Sequence, residues 1–329
     1  MSDHPPISVV MPVLNEERHL NASVCQVLDQ DYPGTIQVVL ALGPSKDATD
    51  EVAAALAADD PRVRTVPNPS GRTPEGLNAA IAASTGEIIA RVDAHAEIPR
   101  DYLRTAVRTL TETGAANVGG VMNAVGETPF ERAVACAMKS PLGVGNARFH
   151  IGGQAGEAET VYLGVFRRSA LDGVGGYDEH FSRAQDWEMN HRIREGGGLV
   201  WFTPDLVVTY RPRRNLKKLA DQYFHYGRWR RVVARLHAGT ANARYLAPPT
   251  TVVGTTAAAL VGLVWRPALA VPAAYAAAVT VGGFAISRGE PAAVRARVPA
   301  VVACMHWAWG IGFLTSPRSL TKEESDRPR

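Results

Sequence analysis

The chain has 329 residues, a formal net charge of +3 and 46% hydrophobic residues. This length suits one large α/β domain with an appendage, or two ordinary domains. So small a net charge does not indicate a surface that binds nucleic acid as a whole. Three widely spaced cysteines without a CxxC pair indicate neither a disulfide framework nor a zinc site, and they fit a reducing compartment.

Short β-branched runs alternate with helical patterns over the first 125 residues. This alternation is typical of βαβ units and predicts a largely parallel sheet. The predicted strands comprise residues 7–10, 36–42, 63–66, 88–92 and 117–122. Between the third and fourth strands, Thr73 is predicted to cap a helix that continues with Pro74 and stops at Gly86.

After residue 125 the pattern becomes irregular and rich in glycine. Further strands are predicted at residues 161–166, 199–202 and 207–210, and this part is expected to complete the same domain. A helix with aromatic residues and arginines is predicted from residue 215 to 237, and the composition changes sharply at Pro248.

Three later segments contain no Asp, Glu, Lys or Arg, namely residues 248–265, 268–286 and 298–314. A bilayer core needs about 17–25 apolar residues per helix, so these segments predict three membrane spans. Buried, alanine-rich core helices are the alternative. Ten Lys or Arg residues lie between residues 210 and 244, and three more separate the second and third segments. By the positive-inside rule, this pattern places the part that precedes the spans in the cytoplasm.

Polar loops follow three of the predicted strands. They read "MPVLNEE" at 11–17, "GPSKDATD" at 43–50 and "VDAHAEIP" at 92–99. Because the carboxyl ends of parallel strands share one edge of a sheet, these loops are expected to line one crevice suited to a nucleotide. The phosphate loop GxxxxGK[ST] and the dinucleotide motif GxGxxG are both missing from the sequence.

With the segments around them, these loops resemble the family 2 glycosyltransferases. The resemblance rests on "SVVMPVLNEE", "GPSKDATDEV", "GLNAAIAASTGEIIARVDAHAEIP" and "GGYDEHFSRAQDWEMNHRIREGG". The segment "YRPRRNLKKLADQYFHYGRWR" points to the membrane-associated branch that includes succinoglycan-type glucosyltransferases. The resemblance covers roughly residues 5–240. It implies a GT-A fold, which is a Rossmann-like α/β domain with a mostly parallel sheet, and sugar transfer from a nucleotide-sugar donor.

The resemblance also implies a metal and diphosphate site at "DAH". The family uses Asp-x-Asp here, and this chain has Asp93, Ala94 and His95. A divalent cation, Mn²⁺ or Mg²⁺, held by Asp93 and His95 would neutralise the leaving diphosphate. Imidazole is a better ligand for Mn²⁺ than for Mg²⁺. The alternative is that Asp93 and His95 only cap the turn before Pro99.

Asp186 matches the position of the family's catalytic base, and Gln185 stands where an acid usually precedes it. Without that neighbouring carboxylate, Asp186 is expected to stay ionised at lower pH. Asp186 is alternatively a cap of the helix that reaches Glu195. Glu188 is the rival base.

The resemblance assigns further residues to donor binding. Those near the nucleotide base and ribose are Pro12, Val13, Asn15 and Glu16, and those near the diphosphate and ribose are Arg72 and Asn78. Leu42, Gly43 and Pro44 stand where relatives carry an aspartate that reads uracil, so the nucleotide stays open and UDP is only the family's default. An exposed loop cation is the alternative for Arg72, and helix capping is the expected role of Asp47.

The segment "HYGRWR" replaces the Gln-x-x-Arg-Trp motif of processive relatives. Arg228 and Trp229 are candidate substrate-binding residues, and Arg228 alternatively faces anionic lipid. A polymer-conducting synthase is not expected. The surrounding helix is predicted to lie on the membrane surface with Phe224, Tyr226 and Trp229 toward the headgroups, and residues 128–141 are a second candidate for such a helix.

The expected domains are a GT-A domain over 1–245, a membrane domain of about three helices over 246–316, and a polar tail over 317–329. The expected protein is a multi-pass inverting glycosyltransferase of the cell membrane whose catalytic domain is cytoplasmic. It would act in exopolysaccharide or cell-envelope glycan assembly. Its expected partners are a nucleoside-diphosphate sugar, a lipid-linked or glycan acceptor and membrane lipids, but no nucleic acid. A polyprenyl-phosphate sugar transferase and a non-catalytic nucleotide-sugar sensor are the alternatives.

Overall fold

The computed structural model describes residues 4–320 of the chain. The described residues divide into two compact units, of which the first comprises residues 4–123 and 152–210 and the second comprises 124–151 and 211–320. The predicted domain limits at 245 and 316 rest on sequence similarity and composition rather than on compactness, and they stay a prediction. Most of the predicted polar tail, from residue 321 onward, lies outside the described residues.

Within the described residues, the first unit is built on an eight-stranded sheet. Its strands are β1 Ile7–Val13, β2 Ile36–Leu42, β3 Val63–Pro67, β4 Ile88–Arg91, β5 Asn117–Ala124, β6 Gly156–Glu157, β7 Tyr162–Arg167 and β8 Val200–Tyr210. Their order across the sheet is β3-β2-β1-β4-β7-β5-β8-β6. Strands β1 to β4 pair in parallel, whereas β7 pairs antiparallel with β4 and β5, and β6 with β8. The predicted α/β class is confirmed.

The predicted strands are all present, with small shifts at their ends. The main difference is that the predicted strands 199–202 and 207–210 form the single strand β8. Pro204 and Asp205 are exposed in the middle of this strand, so the missing N–H of the proline does not leave a buried partner unsatisfied. The short strand β6 was not predicted, since two residues are too few to form a pattern.

The helices, in chain order, are α1 Leu20–Leu28, α2 Thr49–Asp59, α3 Thr73–Ala82, α4 Tyr102–Thr113, α5 Pro129–Met138, α6 Pro141–Val144, α7 Arg148–Ile151, α8 Arg168–Val174, α9 Gln185–Glu195, α10 Leu216–Leu236, α11 Ala243–Val261, α12 Ala270–Ile286, α13 Ala292–Arg295 and α14 Val298–Leu314. In α3 the cap position is Arg72 rather than Thr73, and the helix ends four residues before Gly86. The prediction that Gly86 stops this helix is wrong. A Cβ at Gly86 would lie 2.5 Å from Ser8 N, so Gly86 is required for close contact with β1.

The apolar runs of the central strands are continuous because both faces of the sheet are covered. On β1, Val9 and Met11 belong to one core cluster and Val10 to another. On β4, Ile88 and Ala90 join the first cluster, while Ile89 joins the second. A parallel strand buried on both faces reads as an unbroken apolar run, and burial of such side chains stabilises the fold by about 1.5–3 kcal/mol each. This core holds the carboxyl ends of β1, β2 and β4 in fixed register.

The second unit contains α5 to α7 and α10 to α14. Helices α10 and α14 cross closely at two glycines. A Cβ on Gly227 would lie 2.0 Å from Trp309 O, and a Cβ on Gly312 would lie 2.0 Å from Phe224 O. Small residues at a crossing let two helix backbones approach each other. Their contact therefore depends on the absence of side chains at Gly227 and Gly312.

By length and composition, two segments in the described part of the chain are long and apolar enough to cross a membrane: Arg266–Ile286 and Ala292–Leu314. The first predicted segment, 248–265, overlaps α11, which begins at Ala243 and includes Pro248 and Pro249. Exposed apolar residues extend beyond α11, with Leu263 81% and Val264 90% exposed. The three-helix membrane domain stays a prediction.

Both segments predicted as membrane-surface helices are helical, as α5 and α10, and their location on a membrane surface stays a prediction. Thr128 and Glu131 close a capping box at the start of α5, and Asn215 caps α10 by accepting a hydrogen bond from Lys218 N. The orientation predicted for Trp229 is wrong, because this side chain is fully buried rather than turned outward. A helical repeat alone does not specify which aromatic side chains a neighbouring helix covers.

Candidate active site

Two polar loops leave neighbouring parallel strands, one after β1 and one after β2. Asn15 begins the first loop in the left-handed backbone region, with φ +56°, which asparagine adopts more readily than most residues. Its Oδ1 accepts a hydrogen bond from Lys46 N at 2.8 Å, and Glu16 N donates to Thr49 Oγ1 at 2.7 Å. The two loops predicted to line the crevice therefore lie against each other.

The loop after β4 joins this pair through a histidine. His95 Nδ1 lies 2.8 Å from Glu16 Oε1, and the His95 side chain is 45% exposed. The turn that contains His95 is closed by its backbone, since Ala96 N donates to Asp93 O at 2.8 Å. The capping alternative therefore does not hold for the Asp93 carboxylate, which is directed elsewhere. The convergence of three polar loops at one edge of the sheet is confirmed.

One buried guanidinium joins Asp93 to Asp186. Arg91 Nε and Nη2 each lie 3.0 Å from Asp93 Oδ1, and Arg91 Nη1 pairs with Asp186 Oδ1. The Arg91 side chain is only 6% exposed. Burial opposes its charge, but the charges of Asp186 and Asp93 outweigh burial and raise the pKa of Arg91 well above its ordinary value. The site therefore holds a permanent cation between two carboxylates.

Asp186 lies in the first turn of α9, behind Ala184, which has a left-handed backbone with φ +61°. The helix begins without a side-chain cap, so Asp186 is not its capping residue. Burial, assisted by the negative charge of Asp93, raises the pKa of Asp186 above its ordinary value, while Arg91 opposes the shift. Burial thus acts against the expectation that Asp186 stays ionised at lower pH, which considered residue 185 alone.

The rival base, Glu188, is committed to an ion pair. Its side chain is 2% exposed, and Arg192 Nε lies 2.6 Å from Glu188 Oε1. Arg192 also donates to the carbonyl oxygens of Val174 and Gly176. Glu188 thus supports the chain before Tyr177, whereas Asp186 keeps a third of its side chain exposed. Of these two carboxylates on α9, Asp186 is the more exposed.

Comparisons with known proteins agree with this geometry. Residues 8–175 match the family model "Glycosyl transferase family 2". The chain belongs to family 2 of the glycosyltransferases. It is 34% identical, over 93% of both chains, to the succinoglycan biosynthesis protein ExoA of Rhizobium meliloti (strain 1021). It is 26% identical, over 67% of its length and 71% of the relative's, to a Methanococcus voltae enzyme, dolichyl N-acetyl-alpha-D-glucosaminyl phosphate 3-beta-D-2,3-diacetamido-2,3-dideoxy-beta-D-glucuronosyltransferase.

Solved structures show that this glycosyltransferase has the predicted GT-A fold. Mannosyltransferase PcManGT from Pyrobaculum calidifontis, solved with GDP-Man and Mn²⁺, aligns with a TM-score of 0.61 and 22% identity, covering 95% of this chain and 88% of the other. S. aureus TarS 1–349, solved with UDP, aligns with a TM-score of 0.52 and 16% identity, covering 94% and 90%.

In this family 2 glycosyltransferase, Arg72 and Asn78 bind the backbone of residues 177–179 in the first unit. Asn78 accepts a hydrogen bond from Tyr177 N and donates to Tyr177 O, both at 2.8 Å. Arg72 Nη1 lies 2.6 Å from Glu75 Oε1, and Arg72 Nη2 donates to Glu179 O. The loop-cation alternative for Arg72 is wrong, since its side chain is 14% exposed and paired. Their predicted contact with a donor stays a prediction.

The remaining predicted donor-binding residues of the first unit differ in how much of each residue is exposed to solvent. Val13 and Ala94 are each 1% exposed, so contact with a ligand would come from their backbones. Gly43 N donates to Val13 O at 2.8 Å, and a Cβ on Gly43 would lie 3.1 Å from Gly71 Cα. Pro12 and Gln185 are partly exposed. Donor binding by these residues stays a prediction.

Arg228 and Trp229 lie on α10 in the second unit. The Arg228 guanidinium lies over the Phe224 ring, 5.6 Å from its centroid. The Trp229 side chain is fully buried. Their predicted binding of substrate likewise stays a prediction.

Asp47 lies one residue before Ala48, the cap position of α2, where no side-chain cap is formed, so Asp47 is not the helix cap that was expected. Its Oδ1 accepts hydrogen bonds from Thr49 N at 3.2 Å and from Thr49 Oγ1 at 2.5 Å. These bonds lower the pKa of Asp47, with the Thr49 hydroxyl as the largest cause. The second loop is therefore held in shape by its own aspartate.

Sequence reasoning missed Arg91. A signal for it was present, since Arg91 ends the otherwise apolar strand β4. A charged residue is almost never fully buried unless it is paired. An arginine in such a strand therefore predicts neutralising carboxylates, of which Asp93 is the nearest in sequence.

Proposed function

We propose that the chain is a membrane-anchored, inverting glycosyltransferase that moves one sugar from a nucleoside-diphosphate sugar to a hydroxyl group of an acceptor. The acceptor is a glycan or a lipid-linked glycan precursor in exopolysaccharide or cell-envelope assembly. The observation that carries the proposal is the pairing of Asp93 and Asp186 through Arg91 beside three converging loops. The 34% identity to a succinoglycan biosynthesis protein supports this class of product.

The proposed reaction is a single displacement. The acceptor oxygen attacks the anomeric carbon from the face opposite the diphosphate, and the bond between that carbon and the diphosphate oxygen breaks. The bonding electrons leave with the nucleoside diphosphate, and Asp186 takes the proton of the acceptor hydroxyl. A base positioned in this way typically contributes about 10²–10⁴-fold to the rate. Asp186 must therefore be ionised before transfer.

The side chains that follow β4 fit a divalent cation that takes only some of its ligands from the protein. Asp93 supplies a carboxylate whose Oδ1 faces Arg91, and His95 supplies an imidazole beside Glu16. Among residues 4–320, no group of three or more His, Cys, Asp or Glu side chains is arranged to hold a metal ion. Cations bound by one or two protein ligands commonly take phosphate oxygens of the substrate as further ligands. Such a cation would neutralise charge on the departing diphosphate, and the imidazole favours Mn²⁺.

Membrane anchoring is supported by the second unit. Its two long apolar helical segments meet the length needed for a span. The charged residues Arg288, Arg295 and Arg297 lie between the second and third predicted spans, and the positive-inside rule places them on the cytoplasmic side. With 248–265 as a further span, we propose a multi-pass protein whose catalytic part faces the cytoplasm. Single cysteines labelled from either side of intact cells would test this orientation.

A thermal-shift screen of the full chain in detergent would test the donor site. UDP-, GDP- and dTDP-sugars are compared, each with Mn²⁺, with Mg²⁺ or with chelator. The expected result is a rise in melting temperature with one donor class that requires the cation. Turnover of that donor is then measured for the parent and Asp186→Asn, and a loss of roughly 10²–10⁴-fold is expected.

Two results would contradict the proposal in different ways. Full activity of Asp186→Asn toward polyprenyl phosphate would identify the alternative transferase, because an anionic acceptor needs no base. Donor binding without turnover by the parent, on any acceptor or on water, would identify a sensor instead of an enzyme.

A further inference from the structure

We propose that Arg91 is a positioning residue of the transfer reaction, which fixes the carboxylate of Asp186 by tying it to Asp93. The inference rests on the proposed function, because it assigns to Arg91 the task of holding the proposed base. It adds a residue that belongs to neither the donor loops nor the base itself.

The guanidinium of Arg91 is shared in a defined way. Nε and Nη2 both face Asp93 Oδ1, and Nη1 faces Asp186 Oδ1. Three of its five donors are thereby used on two carboxylates whose positions in the sequence are 93 residues apart. The planar fork of arginine can serve two directions at once, whereas the ammonium of lysine acts as a point charge. The geometry therefore requires arginine in particular, not only a positive charge.

The backbone around Arg91 makes this fork rigid. Arg91 ends β4, where it lies opposite Val10 of β1 in a parallel pair. The strand is buried throughout, and the Arg91 side chain is 6% exposed. A side chain anchored at the end of a central strand has little freedom to move. Arg91 can thus act as a fixed support for the more exposed carboxylate of Asp186.

The Asp186 side needs this support. Ala184 precedes α9 with a left-handed backbone, a conformation unfavourable for a residue with a Cβ. Asp186 is one-third exposed, and α9 offers it no capping hydrogen bond. Arg91 takes one carboxylate oxygen and so orients the other toward a different ligand. A base displaced by about 1 Å can lose roughly 100-fold in rate.

The test separates positioning from folding and from donor binding. The full-length protein in detergent is prepared as the parent, Arg91→Lys, Arg91→Met, Asp186→Asn and the double variant Arg91→Met/Asp186→Asn. For each, the melting temperature, the Kd for the nucleoside diphosphate (UDP, GDP or dTDP) that stabilises the parent most with Mn²⁺, and kcat for donor cleavage are measured. Rates are expressed per folded molecule.

We expect Arg91→Lys to lower kcat by roughly 10–100-fold while the Kd changes by less than about threefold. Arg91→Met is expected to lower kcat further. Adding it to Asp186→Asn should cost little more than Asp186→Asn alone, because residues that act as a unit are not additive. Arg192→Lys is the matched control, since Arg192 also pairs with a buried carboxylate of α9. It is expected to lower the melting temperature and to leave kcat per folded molecule within a few-fold.

Three outcomes would overturn the inference. The first is an unchanged kcat in Arg91→Lys. The second is weaker nucleotide binding in Arg91→Lys, seen as a higher Kd, with kcat unchanged. The third is multiplication of the Arg91→Met and Asp186→Asn losses in the double variant. If Arg91→Met does not fold, Arg91→Lys alone decides by its kcat and Kd. Lack of turnover by the parent on every donor would contradict the proposed function, whereas equal turnover by parent and Arg91→Lys contradicts this inference alone.

Discussion

Arginines in the two units of the chain have different kinds of partner. In the first unit, Arg91 is enclosed by Asp93 and Asp186, and Arg192 pairs with Glu188. In the second unit, the arginines on α10 meet rings and carbonyl groups. Arg230 lies 3.6 Å from the centroid of the Tyr245 ring, Arg231 lies 4.8 Å from that of Phe313, and Arg235 donates to the carbonyl oxygens of Ser316 and Pro317.

The difference bears on what each cation can contribute. A guanidinium between buried carboxylates sets their charge and geometry, so its removal leaves unpaired charge. A guanidinium over a ring or beside carbonyl groups adds mainly packing and a modest electrostatic attraction. We therefore expect changes to ion pairs of the first unit to be severe and specific, and changes to arginine stacks on α10 to be mild.

Glu188→Gln should show the largest loss of stability among these tests. Breaking the buried pair with Arg192 leaves an uncompensated guanidinium, at a cost of about 3–5 kcal/mol in the free energy of unfolding. Catalysis per folded molecule should stay within a few-fold of the parent, because Asp186 remains. Denaturant unfolding and kcat are measured on one preparation, with Asp186→Asn as the comparison on the same helix. A loss of kcat in Glu188→Gln that matches the loss in Asp186→Asn would reverse the assignment of the base.

Gly312→Leu tests whether the second unit depends on packing more than on charge. The added side chain would collide with Phe224 O at the α10 crossing, where even a Cβ lies 2.0 Å away. Overpacking of this kind costs about 1–3 kcal/mol or more. Gly254→Leu on α11 is the control, because no heavy atom lies within 4 Å of a Cβ built there. The melting temperature in detergent should fall for Gly312→Leu and not for the control.

Replacing His95 tests the cation hypothesis for the β4 loop. His95→Ala should weaken the apparent affinity for Mn²⁺ in donor cleavage by about 10–100-fold, the usual cost of disturbing a metal's environment. His95→Asp restores the second carboxylate of the family's Asp-x-Asp and so offers the cation an oxygen ligand, and it should recover more activity than alanine and shift the preference toward Mg²⁺. Titrations of both cations in both variants supply the measurement. Equal losses in the two variants, with no change in preference, would exclude His95 as a ligand.

Much of the first unit was predictable because its strands and helices follow from short stretches of sequence. Buried parallel strands read as apolar runs, and the carboxyl ends of β1, β2 and β4 share one edge of the sheet by topology alone. The pairing of Arg91 with Asp186 was not predictable in this way. It joins residues 95 positions apart, and it depends on where α9 begins after a left-handed residue. The predicted orientation of Trp229 was wrong for a related reason, since the helix that packs against α10 decides which of its faces is covered.

The pH dependence of the first unit follows from the raised pKa of Asp186. Burial favours its protonated form, and Asp93 adds to this effect. Because the native state holds this proton more tightly than the unfolded chain does, Asp186 contributes stability below the ordinary carboxyl pKa. That contribution is lost as the pH rises through the raised value. Catalysis has the opposite sign, since the base must be ionised. Because kcat/KM reports the free enzyme, the acidic limb of kcat/KM should lie above the ordinary carboxyl range, and a limb at or below that range would contradict the assignment of Asp186.

Arg231→Lys should give the smallest effect and makes the comparison quantitative. Arg231 is an exposed residue of α10 whose guanidinium stacks on Phe313. Lysine keeps the charge but loses the planar contact, so the expected cost is about 0.5–1 kcal/mol in the free energy of unfolding, with donor cleavage unchanged. Arg91→Lys makes the same chemical change between two carboxylates and is expected to lower kcat. If Arg231→Lys reduced kcat as strongly as Arg91→Lys, the stacked cations of α10 would have to act in the reaction, and the distinction between the two kinds of arginine would fail.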